Sequence, residues 1–137
     1  MFGFWFDQQD DDGLHDAAAP LDVTALVNLT HLQNGGARAA EFARLDVPVI
    51  QALNHRQGDA AQWRAASSGV PMPLLATFVA LPESWGVSDP IVLSASEHGA
   101  MLPIPEQVEA LAARLARMAA LRARPAADRR LALLFWN

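Results

Sequence analysis

The chain has 137 residues, of which 52% are apolar and 18% charged, and its formal net charge at pH 7 is −5. This length and composition suit one globular domain and exclude a disordered chain, and no apolar run reaches the ~18 residues that a membrane span needs. The absence of Cys, Lys and Tyr excludes disulfides, thiolate metal sites, Schiff-base chemistry and phenolic acids.

The first half of the chain alternates between strand-like and helix-like patterns. Residues 2–6 are a short aromatic run that favours a strand, and residues 13–19 suit one or two helical turns. Residues 23–29, VTALVNL, are almost wholly apolar, as in a buried strand. Charged residues spaced along one face predict a short helix over 37–45. Residues 47–53 predict a second strand, which tolerates a proline near its start.

The next segment continues the alternation. Asp59 is a suitable N-cap for a helix over residues 60–66, and a further helix is predicted over 71–79. Residues 82–86, PESWG, predict a loop because Pro and Gly interrupt regular structure. Residues 90–95 are apolar and predict a third strand.

The clearest helical pattern covers residues 105–122. Proline suits its first position, and apolar residues recur at spacings of three and four along one face. Residues 130–136 predict a final strand. The alternation of strands and helices indicates an α/β domain, Rossmann-like or flavodoxin-like, with a mainly parallel sheet and flanking helices.

The apolar strands predicted at both ends of the chain need neighbours, since the strands of a parallel sheet are covered on both faces. We therefore expect an incomplete subdomain of a longer protein. Residues 1–130 would form one α/β unit, incomplete at its N-terminus. Residues 131–137 would be a closing strand or the first strand of the next subdomain.

Charge is distributed unevenly. Residues 1–100 carry twelve acids and four Arg, whereas residues 101–137 carry three acids and six Arg. The isoelectric point of about 5.2 argues against nucleic acid as a partner, because that affinity comes mainly from neutralising phosphates. The basic stretch 114–130 is typical of a solvated helix face, and docking to an acidic partner is the alternative.

Histidines follow two of the predicted strands. His31 follows strand 23–29, and His55 follows strand 47–53. If these strands are parallel neighbours, both imidazoles lie at one carboxyl edge, where α/β sheets bind ligands. Imidazole can shuttle protons or bind a divalent metal, but no ligand spacing supports a metal site, and two surface histidines are the simpler interpretation.

Two loops offer weaker candidates. Asn34-Gly35-Gly36 precedes a helix and would suit a phosphate at the helix N-terminus, although its spacing is not GxGxxG; a simple turn is the alternative. Glu83 and Asp89 bracket Trp85 and would form a mixed acidic and apolar pocket wall. The alternative is a loop whose Trp covers the core.

Several motifs resemble one family. ALPESWGVSDPIVLSAS at residues 80–96 and the stretch 102–137, ending PAADRRLALLFWN, resemble the aerobic cobaltochelatase (CobN) large subunits and, more loosely, the H subunits of magnesium chelatases. The shared pattern includes LDVPVIQAL, a helix bearing Trp63, and the turn Gly69-Val70. The resemblance covers about residues 21–137, and the ending FWN is closer to the cobalt branch.

The resemblance implies a cytoplasmic, ATP-dependent ligase that inserts cobalt into hydrogenobyrinic acid a,c-diamide in cobalamin biosynthesis. The large subunit would bind the tetrapyrrole, and AAA-type ATPase partner subunits would use ATP with magnesium. The rest of the large subunit would be a further partner. The segment itself is expected to bind no cofactor and to insert no metal alone.

Other functions remain open. The alternatives are a piece similar to the H subunit of magnesium chelatase, a stand-alone α/β interaction module without catalysis, and a small nucleotide or phosphate binder that uses residues 30–38.

No catalytic residue can be carried over from the family. Residues that face the substrate are expected among the groups at strand ends and in loops, namely His31, Gln33, Asn34, His55, Glu83 and Trp85. In this hypothesis imidazole takes pyrrole protons, Trp85 stacks on the ring, and Glu83 guides a cation.

Overall fold

Parallel strands form the centre of the fold. The computed structural model describes residues 13–30, 35–130 and 132–134. Within them, four strands form one sheet in the order β1-β2-β3-β4: β1 Leu26–Asn28, β2 Val49–His55, β3 Val87–Glu97 and β4 Ala100–Pro103. The first three are parallel, and β4 is antiparallel to β3. The predicted α/β fold with a mainly parallel sheet and flanking helices is confirmed.

Helices connect the parallel strands. They are α1 Gly13–Ala18, α2 Gly35–Leu45, α3 Ala60–Ala65, α4 Met72–Leu75, α5 Leu81–Ser84 and α6 Pro105–Ala123. A π-helical segment, Ala76–Ala80, joins α4 to α5, and short 3-10 turns cover Ala19–Leu21 and Ala126–Asp128. The crossover between β1 and β2 contains α2, and the crossover between β2 and β3 contains α3 to α5, as parallel pairing requires.

Local capping determines where α3 begins. The Asp59 carboxylate accepts a hydrogen bond from the Gln62 backbone N–H at 2.8 Å, and the Gln62 side chain accepts one from the Asp59 N–H at 2.9 Å. This reciprocal pair satisfies two N–H groups that a helix start leaves unpaired. The predicted N-cap is thus confirmed, as is the long C-terminal helix that begins at Pro105.

The first and third strands differ in length from the prediction. β1 has three residues instead of the seven predicted over 23–29, because the chain opposite its start contains Pro48, which has no N–H, and Asp46, whose φ is +51°. β3 begins earlier than 90–95 and continues through Pro90. A register shift here and a φ of +51° at Asp89 mark a bulge, where a proline is tolerated.

The predicted loop at 82–86 is wrong over most of its length. Leu81–Ser84 is helical and directly continues the π-helical segment that precedes it, so Pro82 lies within a helical run. The helix predicted over 71–79 is confirmed as α4 with the π-helical segment. Gly86, with φ of +91°, then turns the chain into β3.

A hairpin between β3 and β4 was not predicted. His98 and Gly99 form its two-residue loop, with φ of +51° and +85°. Both values are positive, as in the type I′ turns that best match strand twist. His98 therefore lies in the turn that joins β3 to β4.

Two apolar clusters pack the two ends of the sheet. Near the starts of β2 and β3, one cluster comprises Leu14, Phe42, Val49 and Val87, with Trp85 packed against it. Near their ends, the other comprises Leu53, Val92, Ala95 and Ile104, with Trp63, Val70 and Phe78 packed against it. The second cluster lies beside the candidate site described below.

Ion pairs explain part of the uneven charge. In α6, Glu106 pairs with Arg64 of α3 at 2.5 Å, Arg114 with Asp89 at 3.2 Å, and Arg122 with Asp22 at 3.5 Å. Arginines of the basic C-terminal stretch thus reach acids of the first hundred residues. Part of that stretch serves contacts within the chain.

The terminal strands remain predictions. Residues 2–6 lie outside the described part of the chain, as do residues 131 and 135–137. Residues 130 and 132–134 have no regular secondary structure, and Leu133 and Leu134 are exposed.

Candidate functional site

A cleft of about 570 Å³ opens where β1 and β2 end. We call it the carboxyl-edge cleft. Its lining residues come from these strand ends, the segment after β2, the turn before α4, the helical segment and β3: Leu29, Thr30, Gln51, Ala52, Leu53, Asn54, His55, Arg56, Gln57, Gly69, Val70, Pro71, Leu74, Phe78 and Val92. Open α/β sheets bind ligands at this edge, and the volume lies in the range of small-molecule sites.

Gln51 lines the floor of the cleft, and Asn28 lies beneath it as its buried hydrogen-bond partner. The Asn28 side chain donates to the Gln51 Oε1 at 2.8 Å, and the Thr30 hydroxyl donates to the Asn28 Oδ1 at 2.8 Å. The Gln51 amide also donates to the Ala52 carbonyl at 2.9 Å. Asn28 and Gln51 are only 9% and 5% exposed, so these bonds are shielded from water. The network fixes β1 and β2 together beneath the cleft.

Apolar side chains form the wall of the cleft. Leu74 belongs to α4, and Phe78 belongs to the π-helical segment that follows. Phe78 also packs against the cluster of Leu53 and Val92, which anchors the wall to the sheet. Such π-helical turns occur frequently at functional sites. The wall offers a broad apolar surface to a ligand.

Among the described residues that line the cleft, Arg56 carries the positive charge. Arg56 is exposed and is the single Arg, Asp or Glu among the described residues that line the cleft. Within the described part of the chain it forms no ion pair. His55 is half-buried beside it at the end of β2. Arg56 therefore gives the described lining of the cleft a positive charge, which favours an anionic ligand group there.

The structure places His55 at the carboxyl edge, as predicted. His31, Gln33 and Asn34 lie outside the described residues, so their proximity to His55 stays a prediction. Glu83 and Trp85 lie just before β3 begins, at the opposite edge of the sheet. Along a strand of this length the two edges are roughly 20 Å apart. The six candidates therefore do not form one site.

Trp85 covers the core, which was the alternative interpretation of its loop. It packs against the cluster that contains Phe42 and Val49. Asp89 is ion-paired with Arg114. Glu83, Trp85 and Asp89 do not line the carboxyl-edge cleft.

The geometry gives little support to the phosphate-binding and metal-binding hypotheses. Gly35 begins α2, but residues 31–34, which would hold a phosphate, lie outside the described part. Arg38 pairs with Glu41 inside α2, and both side chains are buried. Among the described residues no group of three or more His, Asp or Glu side chains could hold a metal ion.

Sequence reasoning missed Gln51, Arg56 and Phe78. A usable signal for Arg56 was the polar run Asn54–Gln57 directly after an apolar strand. Phe78 carried no such signal, because its helix reaches the cleft only through packing against β2 and β3.

Comparison with known proteins identifies relatives of this chain. The family model described as CobN/Magnesium Chelatase matches residues 5–137. The H subunit of the magnesium chelatase of Rhodobacter capsulatus is 27% identical over 144 residues, which cover 91% of this chain and 12% of that protein. The chain thus spans a small part of that relative's length. No solved structure matches the chain significantly. In the described residues, no helix has the length and apolar character to cross a membrane.

Proposed function

Because this chain belongs to the CobN/magnesium chelatase family, which covers the large subunits of tetrapyrrole metal chelatases, we propose that it is part of the tetrapyrrole-binding large subunit of an ATP-dependent cobaltochelatase. The complete subunit would act in the cytoplasm with AAA-type ATPase partners, and cobalt would be its metal substrate. The tetrapyrrole would be hydrogenobyrinic acid a,c-diamide, in cobalamin biosynthesis. The segment's own task would be to form part of the wall around the macrocycle.

The carboxyl-edge cleft is the observation that carries this assignment. A tetrapyrrole has a broad, largely apolar ring with polar groups at its rim. Phe78 and Leu74 offer an apolar surface, and Arg56 offers a positive charge at the same cleft. A site of this composition orients a large amphipathic ring, because the apolar area supplies affinity and the few polar groups fix its direction.

Metal insertion also requires that the ring lose the proton of each inner N–H group that the metal replaces. His55 is half-buried in the cleft, and imidazole accepts protons near neutral pH. We assign His55 as the candidate proton acceptor of this segment. A His55→Gln variant of the complete large subunit should bind the ring and insert metal more slowly, whereas an unchanged rate would contradict the assignment.

A piece similar to the H subunit of magnesium chelatase is the alternative. The relative at 27% identity favours it, whereas the ending RRLALLFWN favours the cobalt branch. The complete large subunit with its ATPase partners and ATP should be assayed with cobalt and hydrogenobyrinic acid a,c-diamide, and separately with magnesium and a porphyrin. Insertion of cobalt alone supports our proposal. Insertion of magnesium alone contradicts it and supports the alternative.

A stand-alone interaction module is less well supported. Its docking surface would be the arginine-bearing helix at residues 105–124, and two of its arginines, Arg114 and Arg122, already pair with acids of the same chain. An immunoblot of the source cell separates the proposals. A band only at 14.8 kDa would favour the module, and a much larger band would favour the chelatase subunit.

A further inference from the structure

The cleft rim is rich in hydrogen-bond donors. Arg56 carries five N–H donors and makes no ion pair within the described part of the chain. The side-chain oxygen of Asn54 accepts the Ser94 hydroxyl at 2.6 Å, which commits that acceptor and leaves the amide N–H groups of Asn54 to donate. No Asp or Glu lines the cleft among the described residues. The rim therefore offers hydrogen-bond donors, Arg56 above all, to an acceptor group of a ligand.

The acceptors on the floor are already used. The Oε1 of Gln51 accepts from Asn28 at 2.8 Å, and the Oδ1 of Asn28 accepts from Thr30 at 2.8 Å. The floor amides therefore bind one another. Polar recognition falls to the rim groups Asn54, Arg56 and Gln57, which are exposed.

The apolar wall restricts the rest of the ligand. Val70, Leu74 and Phe78 line the cleft together with the rim residues. A small free anion would leave this surface in water, whereas an apolar body would cover it. Burial of that area contributes roughly 25 cal/mol per Å². The ligand that fits both surfaces has a flat apolar body with a carboxylate at its edge.

We propose that Arg56, assisted by Asn54, binds a peripheral carboxylate of the tetrapyrrole, while Phe78 and Leu74 contact the face of the ring. This inference rests on the proposed function and assigns to Arg56 the recognition of side chains on the macrocycle. Arg56 is a binding residue that distinguishes carboxylate from amide side chains on the macrocycle. A guanidinium suits this task because its planar fork matches a carboxylate with two parallel hydrogen bonds.

The test compares two ligands on one protein. The full chain is titrated with a porphyrin that bears two propionates and with the matching porphyrin whose propionates are primary amides, following the absorbance of the ring. Arg56→Gln should weaken binding of the acid about tenfold and leave binding of the amide unchanged. Arg56→Lys should recover part of the loss, because it restores the charge without the fork.

Two further variants serve as controls. Arg117→Gln removes an exposed arginine of α6 that is not among the cleft residues, and it should change neither affinity. Phe78→Leu keeps an apolar side chain but removes the aromatic ring, so it should weaken both ligands to a similar extent. Circular dichroism of each variant confirms that the fold is retained.

The outcomes separate the two proposals. If both porphyrins bind and Arg56→Gln affects them equally or not at all, the role of Arg56 is overturned and the tetrapyrrole function stands. If the chain binds neither porphyrin and also fails to bind hydrogenobyrinic acid a,c-diamide, the tetrapyrrole function itself is contradicted for this segment. A selective loss of acid binding supports both.

Discussion

Asn28 and Gln51 lie directly opposite each other in the register of β1 and β2, and the Nδ2 of Asn28 donates to the Oε1 of Gln51 at 2.8 Å. Two amides at matching positions on parallel strands thus form a buried bond below the carboxyl-edge cleft. Their hydrogen bonds satisfy polar groups that water does not reach. This pair joins the end of β1 to β2, the strand that ends at His55.

Removing either amide should therefore destabilise the fold. Asn28→Ala or Gln51→Ala leaves the other amide buried without its partner, at a cost of about 1–3 kcal/mol in the free energy of unfolding. The double variant should lose less than the sum of the single variants, because the shared bond is lost only once. Urea unfolding measures all three. Gln57→Ala is the matched control, since its exposed side chain should change stability by less than about 0.5 kcal/mol. Strictly additive losses would show that the two amides do not interact.

The capping box at α3 predicts that two substitutions lower the stability of the fold by different amounts. Asp59→Ala removes the side chain that accepts from the Gln62 N–H and should cost about 1 kcal/mol. Gly58→Ala acts on the other half, because a Cβ there would overlap the Gln62 Oε1 and displace that side chain. This loss should be smaller, since the Asp59 bond remains. Thermal unfolding of both variants, with Ser67→Ala as an exposed control, tests the order. Equal stability of Asp59→Ala and the unaltered chain would contradict it.

The ion pair between α3 and α6 predicts a dependence on pH. The hydrogen bond from Arg64 holds the pKa of Glu106 below its ordinary value. A carboxyl whose folded pKa is lowered stabilises the fold above its unfolded pKa, and that contribution disappears as the pH falls through the folded pKa. The effect should be small because both side chains are exposed.

An NMR titration of the Glu106 carboxyl carbon measures this pKa directly. Arg64→Gln should raise it towards the ordinary range of Glu, whereas Arg117→Gln should leave it unchanged. A Glu106 pKa that does not respond to the loss of Arg64 would mean that the pair contributes nothing in solution.

The hairpin turn predicts which residues position 98 accepts. His98 has φ of +51°, a conformation that Asn tolerates and a β-branched residue does not. His98→Asn should preserve stability, and His98→Val should cost about 1–3 kcal/mol. Chemical denaturation of the two variants provides the comparison. Equal stability of the Asn and Val variants would argue against a type I′ turn here.

Local signals predicted much of the fold. The apolar run of β2, the N-cap at Asp59 and the periodicity of α6 each depend on residues close in sequence. Two of the errors arose where tertiary structure changes the meaning of a proline. Pro82 lies inside a helical run and Pro90 inside a bulge, and both were interpreted as boundaries.

The candidate site was predicted only in part. His55 was found because it follows a strand, and that position is set by local sequence. The rest of the cleft depends on how α4 and the π-helical segment pack over β2 and β3, which no spacing in the sequence encodes. Glu83 and Trp85 were grouped with His55 because all three lay in predicted loops, yet they flank opposite ends of the parallel strands.

The central claim is that this segment contacts a tetrapyrrole, and equilibrium binding of hydrogenobyrinic acid a,c-diamide to the complete large subunit, with and without the Phe78→Leu substitution, tests it most directly. We predict a saturable change in the absorbance of the ring with one site per chain, and weaker binding by the Phe78→Leu variant. A titration without saturation, under conditions in which circular dichroism shows a folded chain, would contradict the account.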